Sequence, residues 1–260
     1  MCLILMAFES HPVYRLILAA NRDEYYDRPT APAAFWDEAP ELLAGRDLRA
    51  GGTWLGITTK GRIAAVTNYR DPAFNKTGAP SRGRLVKNFL LGHESAVDYL
   101  GDLEDRGDVY NGFNLIIGEG HELYWYSNRG EGCRNLSPGI YGLSNHVLDT
   151  PWPKVMRGKE TFKELLSSKN EPGQKEIFDM LSDRSIPDDE TLPDTGVGLE
   201  WERILSPIFI ASPTYGTRSS MILFIDRNNN VTFIERTFNS TLNHPMTIKH
   251  EFAITGDERP

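Results

Sequence analysis

Residues 14–24 read YRLILAANRDE, an apolar run that stops in four polar side chains. Just upstream, residues 2–8 read CLILMAF, and His11-Pro12 separates the two runs. Neither run alternates apolar with polar. Both therefore read as strands buried on two faces, paired as an antiparallel hairpin. The pairing sets the start of the chain beside the polar rim Asn21-Arg22-Asp23-Glu24. Consecutive strand residues point to opposite faces. Arg22 and Asp23 therefore cannot both serve one pocket unless the strand bends or ends there.

Outward from the hairpin, residues 27–52 carry prolines at 29, 32 and 40 and read as a loop of suspicious length. Residues 54–59 and 62–68 flank Lys60-Gly61, a two-residue hairpin turn. Gly51-Gly52-Thr53-Trp54-Leu55-Gly56 reads as a turn entering the first of these strands. It lacks the GKS/T ending of a phosphate loop. Helical spacing follows at Leu85, Val86, Phe89 and Leu90, then at Ala96, Leu100 and Leu103 behind a Ser95–Asp98 cap. Strands return at 113–118, 123–127 and 140–144. Thr150-Pro151 predicts a helix start. Its apolar face is Val155, Phe162 and Leu166, with Lys154, Arg157, Lys159 and Lys163 over much of the rest. A helix over 172–181, a polar loop over 185–198 and strands at 208–211, 217–225, 231–238 and 247–254 complete the chain. Strands gathered in hairpins with segregated helices predict an α+β fold. A four-layer α/β/β/α sandwich with mainly antiparallel sheets fits the order, as a single domain over 1–260.

Composition bounds the function. The 260 residues are 40% hydrophobic and 25% charged, which excludes a disordered, collagen-like or membrane-embedded chain. The net charge of -8 argues against a nucleic-acid partner. The first apolar run stops at Glu9 without a basic flank, so it is neither a signal peptide nor a transmembrane segment. Two cysteines, Cys2 and Cys133, make no disulfide framework. A cytoplasmic protein is expected.

Cys2 is the most informative position. Removal of Met1 would leave an α-amine and a thiol on one residue, a nucleophile carrying its own general base. With Met1 in place the amine is elsewhere and that mechanism is blocked. The competing reading is a small apolar residue in the first strand. On the rim, Arg22 is a candidate anion donor and Asp23 a candidate orienter of the amine; the bland alternative is a solvated strand end held by an ion pair. Asn145, after a strand, could supply an oxyanion donor or simply close an Asn-turn. Arg218 with its neighbouring hydroxyls could hold a carboxylate or phosphate. Trp36, Trp54, Trp125 and Trp152 either line a ligand pocket or fill the core, with core packing the favoured reading. The six histidines have no metal-ligand spacing and neither cysteine has a CxxC partner, so no metal site is signalled. Covalent haem is excluded, while non-covalent haem through one His, Cys or Tyr stays open.

Taken together, Met1-Cys2, YRLILAANRDE (14–24), GGTWLGITTKGRIAAVTNY (51–69), YNGFNLI (110–116), YGLSN (141–145), TPWPK (150–154) and YGTRSS (215–220) resemble one family over essentially the whole chain. It is the NRDE, or transport and Golgi organisation 2, family. The resemblance implies a branch of the N-terminal-nucleophile hydrolase fold, near the choloylglycine hydrolases and penicillin V acylases. By that resemblance Cys2 matches the nucleophile, Asp23 the carboxylate that holds the α-amine, Asn145 an oxyanion donor and Arg218 a late-chain arginine. Asn21 and Arg22 would bind substrate. The relatives place an arginine three residues before the aspartate, whereas Arg22 adjoins Asp23. The family is linked to haem trafficking and to lipid or acyl-CoA metabolism. Two expectations follow: a cysteine-dependent hydrolase of an amide or thioester in a small metabolite, or a non-catalytic carrier of haem or an acyl lipid in the same pocket.

Overall fold

The computed structural model describes residues 2–168, 172–238 and 245–255. Strands β1 (Cys2–Phe8) and β2 (Tyr14–Tyr25) pair antiparallel, with Cys2 opposite Arg22 and Phe8 opposite Leu16. Ile4, Met6, Leu16, Leu18 and Ala20 face one apolar core, while Leu3, Leu5, Ala7, Ile17 and Ala19 face a second. Two cores explain why neither run alternates.

β1 and β2 belong to a six-stranded sheet of order β10-β1-β2-β11-β12-β13, with β10 (Gly139–Leu143), β11 (Tyr215–Asp226), β12 (Asn230–Thr237) and β13 (Met246–Ala253). A seven-stranded sheet runs in sequence order: β3 (Thr30–Trp36), β4 (Ala39–Asp47), β5 (Leu55–Thr58), β6 (Ile63–Asn68), β7 (Phe113–Glu119), β8 (Glu122–Ser127) and β9 (Gly132–Asn135). The pairings in both sheets are antiparallel. Helices α1 (Gly83–Leu91) and α2 (Ala96–Arg106) pack on the second sheet. Helices α3 (Pro153–Ser168) and α4 (Gln174–Leu181) pack on the first. The layers are α/β/β/α, as the element order predicts.

Several expectations change. Residues 27–52 are not a loop, because they form the β3–β4 hairpin. Pro32 hides it: β3 is an edge strand whose register shifts between Ala31 and Ala34, which is where a proline is tolerated. β2 does not end at Ala20 but runs through the polar rim to Tyr25. α3 starts at Pro153, not Pro151; the Thr150 hydroxyl donates back to Val147 O instead of capping it. Residues 208–211 make only the isolated bridge Ala211–Gly216. Two short elements had no visible pattern, β9 and helix α5 (Leu199–Leu205). The four tryptophans named above are all buried, as expected of core packing. Among the described residues no helix is long and apolar enough to cross a membrane.

Candidate functional site

The rim of β2 sits between β1 and β11. Arg22 lies opposite Cys2 on one side and Ser219 on the other, while Asp23 lies opposite Thr217. The β2–β11 register shifts between Thr217 and Ser219, so Arg218 is the extra residue of a β-bulge. The bulge has a chemical consequence. Without it, Thr217 and Ser219 would share a face. With it, Thr217 joins Asp23 on the helix-facing side, and Ser219 joins Arg22 on the side facing the second sheet.

On the helix side the polar groups are buried and hydrogen-bonded. Asn21 is buried and donates through Nδ2 to the carbonyls of Leu181 and Ile208, both at 2.8 Å. Its Oδ1 accepts from Ser220 Oγ at 2.6 Å. Asp23 is 2% exposed; its Oδ1 accepts from Thr217 Oγ1 at 2.7 Å and its backbone carbonyl from Tyr215 Oη at 3.0 Å. Burial pushes the Asp23 carboxyl up, against the pull of Lys154, Thr217 and Arg22.

On the other side, Arg22 stacks over Trp54, with 4.2 Å from guanidinium to ring centre. Trp54, Cys2, Ala20 and Met221 line a cavity of ≈ 10 Å³, about the room one water needs. Arg22 also lines a separate cleft of ≈ 280 Å³ with Arg218, Ser219 and Glu235. Arg22 therefore stands between the Cys2 thiol and an open, partly cationic cleft. Arg218 reaches this cleft with Nη1 donating to the carbonyls of Tyr25 and Arg28. Glu235 is buried in the wall, accepting from Ala33 N at 2.6 Å, and burial pushes its carboxyl up. A larger cleft lies at the other rim, beside Arg15, Lys60 and His93. There Arg62 is committed to Glu119 and to the carbonyls of Phe89 and Glu94.

In the chain that carries Met1, burial pushes the Cys2 thiol up, and Arg22 offsets only part of the effect. Removal of Met1 itself concerns a residue outside those described.

The Asn145 side chain approaches through its neighbour. Ser144 Oγ donates to Cys2 O at 3.1 Å and lies 3.3 Å from Asn145 Oδ1. Asn145 is fully buried and donates through Nδ2 to Asn68 O at 3.0 Å, which leaves one amide hydrogen for another acceptor. Arg70 N donates to Asn145 O, and Arg70 forms a buried ion pair with Glu202, 2.5 Å from Nη1 to Oε2. His146 bridges Tyr69 and Thr150 and is structural.

Cys2, Asn21, Arg22 and Asp23 are thus brought together, Asn145 joins through Ser144, and Arg218 lies at the mouth of the adjoining cleft. Lys154 departs from expectation. It is not on the solvated face of α3 but 2% exposed, donating through Nζ to Leu205 O at 2.9 Å. Burial, with Arg70 adding to it, pushes its pKa down to about 8. Thr217 was visible in YGTRSS as a hydroxyl beside Arg218. Arg70 and Glu202 carried no local signal, because the pair spans 132 residues.

Two antiparallel sheets face to face between helical layers, with residue 2 opening a strand inside the first sheet, define the N-terminal-nucleophile hydrolase fold. A solved variant of conjugated bile acid hydrolase from Clostridium perfringens superposes with a TM-score of 0.51 at 9% identity, over 98% of each chain. The chain belongs to the family described as Transport and Golgi organisation 2, whose sequence profile matches residues 1–240. It is 39% identical to the bovine (Bos taurus) Transport and Golgi organization protein 2 homolog, over 98% of this chain and 99% of the relative. The Homo sapiens homolog is 38% identical over the same shares.

Proposed function

We propose that this chain, once Met1 is removed, is a cysteine-dependent hydrolase of an amide or thioester in a small molecule that carries an anionic group. The observation that supports it best is the register placing Cys2 opposite Arg22 and next to buried Asp23. In this reading the Cys2 α-amine accepts the thiol proton, directly or through one water, and the sulfur attacks the substrate carbonyl carbon. The remaining Asn145 amide hydrogen serves the oxyanion. The C–N or C–S bond breaks as the leaving amine or thiol takes the proton, and water then hydrolyses the acyl-cysteine. Asp23 orients the α-amine.

Substrate charge is read from the cleft. Among the described residues, Arg22 Nη1 and Arg218 Nε have no hydrogen-bond partner, and both side chains line the cleft. Its ≈ 280 Å³ is near the small end of ligand sites, roughly 300–1,000 Å³. The test is turnover of a panel of N-acyl amino acids and acyl-CoA thioesters by Met1-free protein and by Cys2→Ala. Turnover confined to the protein with Cys2 is expected. Turnover that survives in Cys2→Ala contradicts the reading, and saturable haem uptake with no turnover would favour the carrier instead.

A further inference from the structure

The β2–β11 ladder carries a second bulge, at the end away from Cys2. Ile225 lies opposite Leu16 and Asp226 opposite Tyr14, so Arg15 is the extra residue. Without the bulge Tyr14 and Leu16 would share a face. With it Tyr14 stacks on Phe224 in the helix-side core, at 5.0 Å between ring centres, while Leu16 stays in the core between the sheets. Arg15 reaches across to the second sheet, where its Nη1 donates to Gly120 O at 2.5 Å in the β7–β8 turn.

Arg15 is 4% exposed, yet among the described residues that carbonyl is the one hydrogen-bond partner of its guanidinium, and Nε is buried without any. Among those residues no ion pair joins it to an acid. Glu9 and Asp226 attract it, but Glu9 is paired with Arg227 at 2.9 Å and Asp226 accepts from the backbone amides of Asn228 and Asn230. A buried charge held this way is short of partners for the solvation it has lost.

The same side chain lines a cleft of ≈ 540 Å³, inside the roughly 300–1,000 Å³ range of small-molecule sites. Its wall is braced from the C-terminal side. Ile254 packs on the β5–β6 turn so closely that a Cβ at Gly61 would lie 3.1 Å from its Cγ2, and Thr255 N donates to Thr59 O at 2.9 Å. These contacts hold Lys60 at the cleft edge. Arg62 and Glu119 pair with each other at 2.6 Å and so bring no net charge. That leaves Arg15 and Lys60 against one further carboxylate, Glu41, with His93 and His121 beside them. Leu90, Leu91 and Ile254 supply an apolar side.

We propose that this cleft is a second binding site, for a small molecule with an anionic head, a phosphate or a carboxylate, and a short apolar tail. Arg15 and Lys60 take the head, and the leucines and Ile254 take the tail. Arg15 and Arg22 stand seven residues apart on β2, about 23 Å at strand spacing, so this ligand is not the one that reaches Cys2. The site does not depend on Cys2 being a nucleophile.

The experiment titrates the 15N-labelled full chain with hexyl phosphate and, separately, with hexanoate. It follows the Arg15 Nε–H signal and the backbone amides of residues 61, 92, 93, 120 and 121 by NMR. Saturable shifts at these positions are expected for at least one probe, and the probe that binds more tightly names the head group. Lys60→Glu, at an exposed position, is expected to weaken that binding roughly tenfold, and Arg15→Gln to abolish it. If Arg15→Gln does not fold, Lys60→Glu decides alone. Shifts that saturate with neither probe, shifts confined to the Arg22–Arg218 cleft, or an unchanged affinity in Lys60→Glu overturn the proposal. Because no turnover is read, the result stands or falls apart from the hydrolase reading.

Discussion

Cys2 and Arg22 face each other across the β1–β2 ladder, and Arg22 is clamped over Trp54 at 4.2 Å. The clamp fixes a cation at the thiol, and among the described residues its Nη1 has no hydrogen-bond partner. Arg22→Leu should therefore raise the Cys2 thiol by about one pH unit and slow its alkylation at pH 7 roughly tenfold. Arg22→Lys should recover only part of this, since an ammonium does not stack as a planar guanidinium does. Alkylation rates at fixed pH decide it.

Thr217 uses its hydroxyl twice, accepting from Ile210 N and donating to Asp23 Oδ1. Thr217→Val keeps the shape and leaves both partners buried without it. A loss of about 1–3 kcal/mol in urea unfolding is expected, with Thr217→Ser close to wild type. Turnover should fall in the valine variant and persist in the serine one, because Asp23 loses the bond that aims it.

The two cysteines respond differently to removal of Met1. Cys133 is exposed on β9, although burial of its sulfur and Glu104 push its thiol up. Cys2 is pushed up by burial while Met1 is present. Cys133 should therefore alkylate faster than Cys2 in the chain that retains Met1. The order should reverse in the Met1-free protein, where the amine sits on Cys2. Peptide-resolved iodoacetamide labelling at pH 7 of the two forms checks this.

Lys154 also leaves a mark on stability. It is a base whose folded value, about 8, lies below its ordinary value of 10.5. Between those values the unfolded chain binds the extra proton, so this group's contribution to stability rises with pH across the window. Urea midpoints of wild type should gain on those of K154M from pH 8 to pH 10. A constant difference would show that folding does not lower the Lys154 pKa.

The sheet hairpins were legible because their signals are local: two apolar runs about His11-Pro12, and Lys60-Gly61 with Gly61 at φ 85°. The closeness of Cys2 to the polar rim was legible because residues 2 and 21–24 meet within one hairpin. What escaped depends on distant partners. Pro32 disguised an edge strand. Lys154 obeys the charge pattern of a solvated helix face, and only the segment after α5 buries it. The bulge at Arg218 is invisible in an alternating strand, yet it decides which side of the sheet Thr217 serves.

The central claim is that Cys2, freed of Met1, is the acyl-accepting nucleophile. The most direct measurement is the mass of the protein quenched during reaction with p-nitrophenyl acetate, with the adduct mapped by peptide. The account predicts a single acetyl adduct on Cys2 in Met1-free protein, decaying by hydrolysis and absent from Cys2→Ala and from the chain that retains Met1. An adduct on Cys133, or equal labelling of Cys2 with Met1 in place, would contradict it.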